Sequence, residues 1–120
     1  MSKQVQRYKQ YRLQVLKPAQ KDLSQIAHIR MQLVGPFAAR KITDSIYDSL
    51  ERLTTFPYLG ASCREKMPEL AGYRFIICEK YLCFYKVEGD TIFVHRILDG
   101  RSDYPSHMRD YEETNAESEA

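Results

Sequence analysis

The sequence predicts a two-layer α+β domain in the order β-α-α-β-β-β, with a helical hairpin packed on a small antiparallel sheet. Three observations predict it. Apolar residues recur at 3- and 4-residue spacing over two successive stretches, 18–34 and 37–54, divided by Gly35-Pro36. The period then changes to 2 over three β-rich runs joined by short turns. A chain of 120 residues, 43% apolar and 28% charged, has material for one globular core and not two.

The elements follow in order. Tyr11–Lys17 alternates, with Tyr11, Leu13 and Val15 on one side and Arg12 and Gln14 on the other until Leu16 breaks the pattern, which predicts a first strand. Pro18 suits the first position of a helix, where a missing N–H costs nothing. From there Ala19, Leu23, Ile26, Ala27, Leu33 and Val34 share a face, and the stem of Arg30 can lie along it. After Gly35-Pro36 a second helix runs from Phe37 to Thr54, with Ala39, Ile42, Ile46, Leu50 and Leu53 as its stripe. The short connection makes the two helices antiparallel neighbours. Phe56-Pro57 to Gly60 is a break and Ala61–Ala71 a loop. Gly72–Glu79, Tyr81–Val87 and Thr91–Leu98 are strands; Glu79-Lys80 and Glu88-Gly89-Asp90 are their turns, the second with a glycine that accepts positive φ. The first strand joins the same sheet, since a lone strand is not stable.

Charge divides the chain unevenly. Residues 110–120, DYEETNAESEA, carry five acids and no Lys or Arg, a charge of −5; residues 1–109 hold all 18 basic residues and 11 acids, a charge of +7. The sequence thus reads as a single basic domain over 1–109 and an acidic tail over 110–120. With Tyr111 as its one large apolar residue, the tail reads as disordered. No apolar run approaches the roughly 20 residues that span a bilayer, so no membrane partner is expected. The start, MSKQVQRYKQYRLQV, is basic without an apolar core and does not read as a secretory signal. Three cysteines, Cys63, Cys78 and Cys83, are an odd number for a disulfide framework, and the reading is a reduced, cytoplasmic protein. Cys78-x₄-Cys83 with His95 lacks zinc-ligand spacing, and no Gly-rich phosphate loop, Ser-His-Asp set or paired-carboxylate motif is present. No metal and no cofactor is expected.

Several fragments then fall in a familiar order: Leu16-Lys17-Pro18-Ala19 with Asp22-Leu23; Phe56-Pro57 with Gly60; Gly72-Tyr73-Arg74; Tyr81 to Val87; Val94-His95-Arg96-Ile97-Leu98; and Arg101-Ser102-Asp103-Tyr104. Over roughly 90 residues the chain resembles the RelE/ParE superfamily of toxins from bacterial type II toxin–antitoxin systems. The resemblance implies the fold read above, an antitoxin protein as partner, and one of two targets. RelE-like members enter the ribosome and cut mRNA; ParE-like members inhibit DNA gyrase and are not nucleases. A member reduced to a binding module is a third reading.

RNA cleavage needs positive charge at the phosphate and groups that move protons. Arg74, Arg96 and Arg101 are the candidates for the charge, and Tyr104 for donating a proton or stacking on a base. His95 and His107 are of the type that serves as a base. By the resemblance, Arg74 and Arg101 match basic positions of RelE-like nucleases and Tyr104 roughly matches a C-terminal tyrosine. Ile76 and Leu82 stand where that branch has further basic residues. The strand runs and the Phe56-Pro57 loop look more like the ParE side, although Asp99 stands where that pattern has histidine. A structural reading stands beside each role. Arg96 lies between Val94 and Leu98 in alternation and needs a partner such as Asp99, Asp103 or Glu79. Arg74 reads equally as a sheet-edge residue, Arg101 as closing a turn with Asp103, Tyr104 as a packed lid, and His95 as a packing histidine.

Overall fold

A computed structural model describes residues 10–119. The basic stretch through residue 9 lies outside the described residues. The two apolar stripes become α1 (Lys17–Leu33) and α2 (Pro36–Arg52), each with a proline in its first turn. Ala19, Leu23 and Ile26 of α1 and Ala39, Ile42, Ile46 and Leu50 of α2 are buried. The strands are β1 (Arg12–Val15), β2 (Ala61–Ser62), β3 (Arg74–Cys78), β4 (Tyr81–Glu88) and β5 (Thr91–Asp99). They form one sheet in the order β1-β5-β4-β3-β2. β2, β3, β4 and β5 are antiparallel neighbours, but β1 runs parallel to β5, with Arg12 opposite Thr91 and Val15 opposite Val94. The sheet is therefore mixed. The long helical connection after β1 permits the parallel pairing, which no two-residue turn allows.

The loop predicted over Ala61–Ala71 contains the short β2 and a single 3₁₀ turn at Pro68–Leu70. Cys63, Met67 and Leu70 inside it are buried, so it packs as a flap rather than a solvated loop. In the β4–β5 turn Gly89 takes φ 62°, as its position required. Glu79 takes φ 55° in the β3–β4 turn, a conformation that carries steric cost for a residue with a Cβ.

Each face of the sheet has its own core. Toward the hairpin, Tyr81, Cys83, Tyr85, Ile92, Val94 and Ile97 pack on α1 and α2. On the other face, Phe84, Leu82 and Leu98 pack against Tyr73, the flap and Met108. This second face is closed by α3 (Tyr104–Glu119). The boundary drawn at residue 109 thus falls inside a helix, and the segment read as a disordered tail is helical through Glu119. Its composition gives little apolar surface, but it continues a helix anchored by the fully buried Met108, Tyr111 is half-buried, and Glu112 is fixed by a hydrogen bond. A bulge interrupts the β4–β5 ladder. Phe84 is opposite Arg96 and Tyr85 opposite Val94, which leaves His95 as the extra residue.

Candidate functional site

Arg74 opens β3 level with Tyr85. Its guanidinium donates to the Gly60 carbonyl and, at 3.5 Å, to that of Tyr58, and it lies 5.1 Å from the Tyr58 ring. The same loop is held from below. The Tyr85 hydroxyl donates to the Pro57 carbonyl at 2.8 Å and accepts from the Gly60 N–H at 2.9 Å. Gly60 has no room for a side chain, since a Cβ there would sit 2.6 Å from both the Phe75 carbonyl oxygen and the Tyr85 hydroxyl. So the Phe56–Gly60 loop is pinned to the sheet while Phe56, Tyr58 and Leu59, with Ile77 of β3, remain exposed.

Arg96 forms a bidentate pair with Asp22 of α1, Nε to Oδ2 at 2.8 Å and Nη2 to Oδ1 at 3.0 Å. Asp22 Oδ2 also accepts from the Ile97 N–H at 2.9 Å. The need for a partner was legible in the alternation of β5; its identity, Asp22 rather than Asp99, Asp103 or Glu79, was not. The hydrogen-bonded carboxylate favours the charged form of Arg96 against the cost of its burial.

Arg101 is 72% exposed and paired with Asp99, Nη2 to Oδ2 at 3.0 Å, with its own N–H on Oδ1 at 2.8 Å. The hydrogen bond from Arg101 holds the Asp99 carboxyl below its ordinary range. The turn is closed by Asp99 and not by Asp103 as the sequence suggested. Asp99 lies level with Tyr81 and Arg74 level with Tyr85. Four residues of β4 separate those levels, about 13 Å along the strand. Tyr104 begins α3 and its ring packs on Phe84 at 6.0 Å, a lid on the second core. The structure brings Arg96 and Arg101, with His107, to one groove beside α1 and leaves Arg74 and Tyr104 outside it.

His95 lies under α3. Its Nδ1 is 2.7 Å from the Tyr111 hydroxyl, and its ring meets Tyr73 edge-on at 5.2 Å. Burial, with Lys86 nearby, pushes the imidazole down to about 4, so it is neutral at ordinary pH. The Tyr73 hydroxyl donates to Glu112 Oε2 at 2.7 Å, and burial followed by that carboxylate drives its pKa upward. His107 is exposed on α3. Cys63 and Cys83 are raised by burial to about 11 and about 12, which keeps both as unreactive thiols. Among the described residues no group of three or more His, Cys, Asp or Glu side chains is placed to hold a metal, and no helix is long and apolar enough to cross a membrane.

Sequence reasoning missed Asp22, Tyr85, Tyr111 and Glu112. Asp22 stood in the quoted strand-to-helix start, but nothing local marks its partner, 74 residues away. Tyr85 read as one more apolar residue of an alternating strand, and its hydroxyl had no visible destination.

No curated protein sequence matches the chain. The model of the ParE toxin of the type II toxin–antitoxin system parDE matches residues 13–104. Among solved structures, a chain of the chromosomal ParDE toxin–antitoxin system from P. aeruginosa is 25% identical, with a TM-score of 0.64 over 75% of this chain and 96% of that one. A chain of the toxin–antitoxin complex RelBE2 from Mycobacterium tuberculosis is 19% identical, with a TM-score of 0.57 over 75% of this chain and 98% of that one, a likeness of fold. The matched residues run from β1 through β5 to the first residue of α3, and with them the chain belongs to the ParE toxin family of type II toxin–antitoxin systems.

Proposed function

We propose that this toxin arrests bacterial growth by binding and inhibiting DNA gyrase, without catalysing a reaction, and that a co-encoded antitoxin silences it. The observation that carries the gyrase reading is that each candidate charge is already held by a partner within the fold. Arg96 is engaged by Asp22, Arg101 by Asp99 and Arg74 by the loop carbonyls. His95 is neutral and covered. A phosphate-cleaving centre needs free cations and a proton carrier converging on one atom; Arg96, Arg101 and His107 line one groove, but both arginines are held there by carboxylates, and Arg74 and His95 lie elsewhere.

A protein target fits the surface better. Phe56, Tyr58, Leu59 and Ile77 are exposed; Tyr58 lies against Arg74, and Leu59 and Ile77 line one cleft at the sheet edge, aromatic and apolar surface with an arginine of the kind that anchors protein interfaces. The antitoxin reading rests on a second surface. A groove beside α1 is lined by Ile26, Ile29 and Leu33 together with Lys80, Arg96 and Arg101, which suits an amphipathic acidic segment.

The purified chain should reduce gyrase supercoiling in a dose-dependent way and leave mRNA uncut on programmed ribosomes in primer extension. Ribosome-dependent cuts with normal supercoiling would reverse the reading.

A further inference from the structure

Two of the contacts that close α3 over the sheet are polar: Tyr111 to His95 and Glu112 to Tyr73, each at 2.7 Å. His95 is the residue that the β5 bulge leaves without a partner across the ladder, and its ring lies edge-on between Tyr73 and Tyr111. Its Nε2 is buried and has no hydrogen-bond partner. In the neutral ring this is one unsatisfied atom. In the charged ring both nitrogens carry protons, and Nε2–H becomes a buried, unpartnered share of a cation.

The groups around it do not offset that. Lys86 of β4 lies 4.3 Å from the Tyr73 ring, and Arg96 of β5 lies 5.7 Å from the Tyr111 ring. Both are cationic. Glu112 of α3 favours a charged His95 but is held by Tyr73, and Asp22 of α1 is held by Arg96. Tyr73 and Tyr111 are kept neutral, with burial the first cause for each.

We propose that α3 is a latch on this face of the sheet and that protonation of His95 releases it. Docked, the imidazole is held down to about 4; lifted into water, it returns to 6.5. Between those values the lifted state binds more protons than the docked one, so acid favours lifting. From pH 7.5 to 5.0 the opening constant of α3 rises roughly 10- to 30-fold.

Amide hydrogen exchange on the full chain at the two pH values tests this, with intrinsic rates divided out. Protection of α3 should lie below that of β4 at both pH values, since the helix lifts without the sheet unfolding, and should fall by that factor between them. His95→Gln, which keeps a neutral hydrogen-bonding side chain, should abolish the dependence. A change below twofold in the unsubstituted protein overturns the proposal. So does an unchanged dependence in His95→Gln, which would transfer the effect to Glu112. If that variant fails to fold, NMR titration of the His95 ring decides. Charging that accompanies loss of α3 protection supports the latch, and charging near pH 6.5 with α3 still protected overturns it.

Discussion

The Tyr85 hydroxyl serves two backbone groups at once, and that sets its value. Tyr85→Phe leaves the buried Gly60 N–H and the Pro57 carbonyl without it, and should cost about 2 kcal/mol in a denaturant melt. The arginines separate by burial in the same way. Arg96→Ala strands the Asp22 carboxylate, whose side chain is 14% exposed, and should cost about 3 kcal/mol. Arg101→Ala, on an exposed turn, should leave the melting midpoint where it is, so any loss of growth inhibition in that variant reports contact with the target. Arg74→Ala should weaken gyrase inhibition roughly tenfold as the Phe56–Gly60 loop loosens, measured by titration in the supercoiling assay. At this scale the sequence was half legible. Alternation showed that Arg96 sits where a charge needs a partner, because burial follows a local period. It did not name Asp22, because partners across the fold leave no local trace.

The helical hairpin was the most legible element, since its two stripes repeat over several turns and Gly35-Pro36 divides them. Ile46 is fully buried from α2, and Ile46→Ala should cost about 3 kcal/mol; a loss under about 1 kcal/mol in a urea melt would detach α2 from the core. Both strand turns were legible, at Glu79-Lys80 and at Glu88-Gly89-Asp90. The positive φ of Glu79 was not, and its value of 55° predicts a gain: Glu79→Asn should stabilise the hairpin by about 0.5–1 kcal/mol in the same measurement. The third helix was missed because its apolar stripe is short: Tyr104, Met108 and Tyr111 stand at 4- and 3-residue spacing, and the acidic segment continues the helix with no further large apolar residue. These three side chains meet a face that the strands themselves left apolar.

For the whole molecule, the charge division by sequence holds, but the acidic segment is also part of the packing. Composition alone would let residues 110–120 be removed without effect. With Tyr111 on His95 and Glu112 on Tyr73, deleting them should lower the melting temperature visibly, with about 2–4 kcal/mol lost from two unsatisfied polar contacts and the uncovered face. An unchanged melting temperature in calorimetry would mean that α3 contributes nothing beyond Met108. Which end of the sheet β1 would join was also beyond the sequence, because a strand that alternates cleanly fits either edge.

That edge has a consequence for how the toxin comes into being. Residues 12–15 pair with residues 91–94, and Asp22 meets Arg96, 74 residues away in sequence, so both ends of the core are joined by long-range contacts. Such closure carries a large entropic cost before it is rewarded, which slows folding relative to a helical bundle of the same size. During synthesis the hairpin can form early, while its apolar face waits for strands not yet made. The fold therefore stays incomplete, with β1 unpaired, until β5 has left the ribosome, and whatever surface the finished sheet presents to a partner exists only from then on.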